Sequence, residues 1–154
     1  RLLLARRNQR GSITGHEALP LRNLHSSKRI TQESGTGLGL VGARDAKVCV
    51  IVEDAAAALM HIATSHDQDT LLIATGRQLT SRSADHLRSI SAGRNVQIAV
   101  GPQAASSALG DQLLRCLPQA RWQTWDPEIL RQDAWSAVAV GALRDEIGSL
   151  RVPG

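Results

Sequence analysis

Phenylalanine and tyrosine are missing from this chain of 154 residues, and Trp122, Trp125 and Trp135 are its only aromatic side chains. Its core must therefore be assembled from leucine, isoleucine, valine and alanine. No apolar run approaches the roughly 20 residues a membrane span requires, and no charged segment precedes a signal-type core, so a soluble, cytoplasmic protein is expected. There are only two cysteines, Cys49 and Cys116, far apart and without CxxC spacing. Reduced thiols packed as small hydrophobes are expected of them rather than a disulfide or a metal site. The chain opens without methionine, inside the apolar run Leu2 to Ala5, and is expected to be a portion of a longer polypeptide.

What is present is unevenly charged. The net charge is +4, but residues 1–44 hold eight Lys and Arg against Glu17 and Glu33, a local balance of +6, while the remainder carries −2. A basic amino-terminal third on a mildly acidic body suits a surface that contacts phosphates. The alternative is an ordinary solvated face.

The length is that of one domain with a sizeable core. Its centre is Lys47 to Ala63, KVCVIVEDAAAALMHIA. Val48 to Val52 are too few for a globular helix and mostly β-branched, the pattern of a strand buried on both faces in a parallel sheet. An Ala-rich segment follows at once, with Ala58, Leu59 and Ile62 on one stripe. Glu53 and Asp54 thus stand at the carboxyl end of a central strand, where open α/β sheets bind their ligands.

Before this centre, Leu2 to Arg6, Ser12 to Leu19 and Lys28 to Glu33 read as strands of an antiparallel meander, with turns at Asn8 to Gly11 and Pro20 to Ser27. Arg6, Arg7 and Arg10 gather at the first turn, and with Lys28 and Arg29 they are the candidate nucleic-acid-binding residues. The run Gly35-Thr36-Gly37-Leu38-Gly39 lacks the following helix that a phosphate cradle needs, so it reads as a tight turn into a strand at Leu38 to Val41. After the centre, helix Asp54 to Thr64, strand Thr70 to Thr75, helix Ser81 to Ala92, strand Asn95 to Val100 and helix Gln103 to Leu117 alternate as βαβ units do. Thr80 or Ser81 caps the second helix, whose buried stripe should be Ala84, Leu87 and Ile90, and Gly93 ends it. In the third, Ala105, Leu109, Leu113 and Cys116 or Leu117 should face the core. Arg121 to Trp125 is an edge-like strand, and a last helix is expected over Ala134 to Ile147. His16, His25, His61, His66 and His86 show neither HxxxH nor HExxH spacing and read as surface or packing histidines.

Glu53 closing a hydrophobic strand, a helix, a second strand ending in Gly76, another helix, a third strand and an Ala-rich helix together resemble the Toprim domain of topoisomerases and primases, over Lys47 to Leu117. The chain is also similar to Toprim-containing proteins encoded on mobile plasmids beside primases and relaxases. There a glycine-bearing β-rich segment comes first, as Ser12 to Val41 does here, and a short Asp-Trp element comes last, as in Gln132-Asp133-Ala134-Trp135. The resemblance implies an α/β fold: a Toprim-like parallel sheet with flanking helices over residues 45–148, preceded by a small basic antiparallel segment over 1–44 packed on the core and followed by a tail over 149–154.

The resemblance also implies chemistry. Glu53 would be the catalytic general acid or base, and an Asp-x-Asp after the third strand would hold Mg²⁺. Those two positions are Gly101 and Gln103 here, which offer no carboxylate, so the metal site should be lost and no cofactor is expected. The function this implies is a degenerate Toprim-like part of a DNA-processing protein, associated with a primase or relaxase, that binds nucleic acid or serves as a scaffold beside other domains of its parent polypeptide, away from membranes. Two alternatives remain. One is an active Mg²⁺-dependent primase or nicking enzyme with Glu53 and Asp54 as residual metal ligands. The other is a protein-interaction module of α/β topology. Glu53 also has a purely structural reading, since a carboxylate at a helix N-terminus caps it.

Overall fold

The computed structural model describes residues 2–19, 32–54, 57, 58 and 69–123. Strands β1 (Leu2–Arg7), β2 (Ile13–Leu19), β3 (Gln32–Gly35) and β4 (Leu38–Gly42) come first. They are followed by β5 (Val48–Val52), β6 (Thr70–Ala74), α1 (Ser81–Ser91), β7 (Asn95–Ile98), α2 (Pro102–Ala105), α3 (Ala108–Cys116) and β8 (Arg121–Trp122). Among the described residues the strands form one mixed eight-stranded sheet in the order β3-β2-β1-β4-β6-β5-β7-β8. The fold is of the α/β class.

One half of the sheet is parallel: β5 pairs with β6 on one side and β7 on the other, and β7 pairs with β8. The other half is antiparallel. There β1, β2 and β3 form the meander, and β4 joins it to the parallel half by pairing with both β1 and β6. The basic amino-terminal strands therefore extend the same sheet that carries the central strand.

Period-two alternation explains how the sheet is covered on both faces. Cys49, Ile51, Leu71, Ile73 and Ile98 share a core cluster with Leu87 of α1 and Leu109 and Leu113 of α3. Val50, Val52, Leu72 and Ala74 face the other way, against Ala57 and Ala58, with Leu4 of β1 packed alongside. Each fully buried Leu, Ile or Val side chain contributes about 1.5–3 kcal/mol, which makes up for the missing aromatics. Arg94 fastens the amino-terminal ends of the parallel strands: Nε donates to Ala46 O at 2.8 Å, Nη1 to Ile90 O at 2.5 Å, and Nη2 to Arg44 O.

Two expectations need correction. The expected stripe does face the core, with Leu87 fully buried and Ala84 and Ile90 half-buried against the same cluster, but it is wider than expected: Ser83, His86 and Ser91 are buried beside it. Polar residues enter this face because they find partners there. The Cys49 thiol lies 3.9 Å from Ser91 Oγ, and His86 is hydrogen-bonded to the backbone of Arg7.

The expected single helix over Gln103 to Leu117 is two helices. Ser107 is extended at φ −93° and ψ −179°, accepts from Leu109 N, and donates to Ala104 O at 2.6 Å. A serine that bonds its local backbone in this way ends one helix and caps the next. Gly110 then lets the two segments touch, because a Cβ there would overlap the Ala105 carbonyl.

The third meander strand, expected over Lys28 to Glu33, is β3 at Gln32–Gly35; it runs into the glycine segment, and the expected positions before Gln32 lie outside the described residues. Other elements follow the sequence pattern. Thr80 is the N-cap of α1, and Gly93 follows its end with φ +75°. β8 is an edge strand. The turn Pro20 to Ser27, most of the helix expected after Asp54, and the expected helix Ala134 to Ile147 lie outside the described residues. No helix among the described residues is long and apolar enough to cross a membrane.

Candidate nucleic-acid interface

The central strand places Glu53 and Asp54 at the carboxyl edge of the parallel half, and backbone N–H groups then engage both carboxylates. Asp54 Oδ1 accepts from Ala57 N at 2.7 Å, while its carbonyl accepts from Ala58 N, so Asp54 is the N-cap of the Ala-rich segment. Glu53 is half-buried, and its Oε1 accepts from Gly101 N at 3.0 Å, at the start of α2. Charge-assisted bonds of this kind suit carboxylates at helix N-termini.

A Mg²⁺ site needs several oxygen ligands in near-octahedral array. Gly101 supplies none from a side chain. Among the described residues no three His, Cys, Asp or Glu side chains come together where they could hold a metal ion. The backbone donors described at this edge cap the segments that follow: Ala57 N bonds Asp54 and Gly101 N bonds Glu53.

The basic residues are distributed differently from what their spacing suggested. Asn8 Oδ1 accepts from the amides of Arg10 and Ser12, both at 3.0 Å, and Gly11 has φ +81°, which closes a tight turn between β1 and β2. Arg7 braces this turn by donating Nη1 to Gly11 O at 2.8 Å. Arg10 is exposed at its tip. Arg6, one residue before Arg7 and therefore on the opposite face, is only 4% exposed and reaches the end of β6. Glu17, fully buried, stands on the same face two pairs along the β1–β2 register, opposite Leu4. Lys28 and Arg29 lie outside the described residues.

The turn faces the beginning of α1, and between them runs a groove of about 850 Å³. Arg10 and Thr14 line one wall, Thr36 and Gly37 the floor, and Thr80, Ser81, Arg82 and Ser83 the other wall. Its only lining carboxylate among the described residues, Asp85, is 2.6 Å from Arg88 Nη1. The groove is therefore a cleft of guanidinium and hydroxyl donors at a helix N-terminus, a composition that favours anions.

The groove continues into an inner cleft of about 390 Å³ at the carboxyl edge, where Arg6 and Arg77 converge. Thr36, Gly37, Thr80 and Ser83 line both spaces. Gln112 of α3 fixes this corner: its Nε2 donates to Leu79 O and its Oε1 accepts from Leu79 N, both at 3.0 Å. Arg77 and Arg82 were not among the sequence candidates. The available signal was their position after the carboxyl end of a parallel strand and in the first turn of the next helix.

His86 lies beneath the groove, 7% exposed, with Nδ1 buried and without a hydrogen-bond partner among the described residues. Burial pushes its pKa below the usual imidazole value, the Arg44 guanidinium adds to this, and the bond to the Arg7 backbone opposes it. The unfolded chain takes up this proton near pH 6.5, whereas the folded chain takes it up only at lower pH. Stability from the neutral imidazole is thus complete above about pH 6.5 and is lost as pH falls through the folded pKa. His86→Gln is expected to flatten the stability profile below about pH 6.5 in urea titrations; an unchanged slope would assign the dependence elsewhere.

The two thiols are free and buried, and burial pushes both upward in pKa, so neither is an activated nucleophile. Compared with protein-family models and with curated proteins, the chain shows no match.

Proposed function

We propose that this chain is a Toprim-like domain whose metal centre has degenerated and which holds a nucleic-acid backbone, DNA in the first instance, for a cytoplasmic DNA-processing protein of the primase- or relaxase-associated kind. The observation that carries this reading is the groove between the β1–β2 turn and α1. Arginines from two distant parts of the chain, Arg10 and Arg82, line it together with several hydroxyl groups, and its one lining carboxylate among the described residues is engaged by Arg88.

Guanidinium and hydroxyl donors position a sugar-phosphate backbone without reading bases. Among the described residues no tryptophan lines the groove, so none of them offers an indole for base stacking there. The parallel order β6-β5-β7-β8, with Glu53 at the carboxyl edge, supports the Toprim-like part of the reading. The capping bonds of Glu53 and Asp54 support a scaffold over a phosphoryl-transfer centre.

Fluorescence anisotropy with labelled single-stranded and duplex DNA tests the proposal. Binding should weaken steeply between about 50 and 200 mM salt. The double variant Arg10→Ala/Arg82→Ala should bind about ten-fold more weakly, with the slope of log K against log salt reduced by about one for each arginine removed. Absence of binding at low salt would refute the assignment.

A further inference from the structure

We infer that His86 is a proton-controlled latch on the groove: as a neutral imidazole it holds the β1–β2 turn against α1, and on taking up a proton it frees the turn, so that the groove releases its strand. The inference rests on the groove reading and adds the regulation of that site. His86 sits midway along α1, 7% exposed, and lines both the groove and a second cleft of about 540 Å³. It is the one described residue that lines both spaces.

A series of bonds runs from this ring to the basic tip of the turn. Nδ1 is buried and has no partner among the described residues, so the bond to the Arg7 backbone is made by the other nitrogen, Nε2. Because that bond favours the protonated ring, its acceptor is the Arg7 carbonyl. Arg7 in turn donates Nη1 to Gly11 O at 2.8 Å, and Asn8 Oδ1 accepts from Arg10 N at 3.0 Å. Moving the imidazole therefore moves Arg10 relative to Arg82, across the groove.

The surroundings make a second ring proton costly. Placed on Nδ1, it creates a buried cationic donor without an acceptor. On the groove side the charged neighbours are Arg7 and Arg10 of the turn, Arg82, and Asp85, whose carboxylate lies 2.6 Å from Arg88 Nη1. On the side of the second cleft they are Arg44, Asp45, Lys47 and Arg94, while β4 and β6 present the apolar Leu40 and Leu71. Cations outnumber carboxylates on both sides, so an imidazolium is better solvated in water than in the latch. A bound strand does not reverse this. Nδ1 is covered, so no phosphate oxygen bonds it, and the strand's charge acts only through space, where salt screens it.

The test measures affinity for a labelled oligothymidylate, whose bases do not titrate in this range, from about pH 7.5 to about pH 5.5 at constant low salt. One proton changes affinity by at most about ten-fold per pH unit, and the wild type should weaken by about three- to ten-fold. His86→Gln keeps an amide donor for Arg7 O but takes up no proton, and should change by less than about two-fold from its own value at the upper pH. In the wild type, the His86 pKa read by NMR should be lower with the strand bound than without it, a measurement that stands even if the variant fails to fold. Equal pH profiles for the two proteins, or a His86 pKa that rises on binding, overturn the latch and leave the groove reading standing. Loss of the far-UV circular dichroism signal together with binding at the lower pH overturns the latch in favour of general acid unfolding. Absence of binding at the upper pH overturns the groove reading and the latch together.

Discussion

Gly110→Ala is expected to destabilise the protein by about 2–3 kcal/mol, although the same change inside an ordinary exposed helix stabilises by about 1 kcal/mol. The reversal comes from one contact. Gly110 is buried in the first turn of α3, and a Cβ there would overlap the Ala105 oxygen and crowd its carbonyl carbon. The obstacle is backbone, which cannot rotate away as a side-chain tip can, so either α2 or the start of α3 must shift. Such a shift would also displace Ser107, whose hydroxyl caps α3 beside the inner cleft. Urea denaturation at neutral pH measures the effect, and a net stabilisation would show that α2 and α3 do not approach as described.

Leu113→Ala and Leu114→Ala should differ by several kcal/mol despite being adjacent. Leu113 is fully buried in the cluster that joins α1 and α3 to the sheet, whereas Leu114 is 52% exposed. Truncating the first removes apolar contacts and leaves a cavity in a core without aromatic side chains, at a cost of about 3–5 kcal/mol. Truncating the second removes little buried area and should change stability by about 0.5 kcal/mol or less. For a domain of this size the first loss lowers the melting temperature by very roughly 10 °C, which differential scanning calorimetry resolves. Similar losses in both variants would mean that the face of α3 turned to the sheet has been misassigned.

Much of the architecture was legible in the chain because the relevant signals are local and strong. Val48 to Val52 and Thr70 to Ala74 lie in apolar runs too short for helices, and both are buried on two faces in parallel register. Thr80 and Gly93 mark the limits of α1 through local rules, a side chain that bonds an amide and a residue with positive φ. The meander was readable for the same reason, since Asn8 and Gly11 build its first turn from adjacent residues.

The errors arose where a local signal competed with tertiary contact. The apolar stripe through Ala84, Leu87 and Ile90 does face the core, but α1 is flanked by the strands, by α3 and by the β1–β2 turn, which together also bury Ser83, His86 and Ser91. The helix break at Ser106-Ser107 was visible as a serine pair but weak beside the surrounding apolar periodicity.

For this protein the sequence by itself determined the α/β class, the parallel strands, the capping of α1 and the placement of two carboxylates at the carboxyl end of β5, because periodicity and capping act over a few residues. Only the tertiary structure decided which charges act together. Strand alternation sends Arg6 and Arg7 to opposite faces, and pairing of β4 with β6 carries the basic turn to the start of α1, where Arg10 meets Arg82. Pairing of β1 with β4 likewise brings Arg6 to Gly76, beside a cleft that Arg77 also lines. Such meetings depend on pairings between distant segments, and no spacing along the chain encodes them.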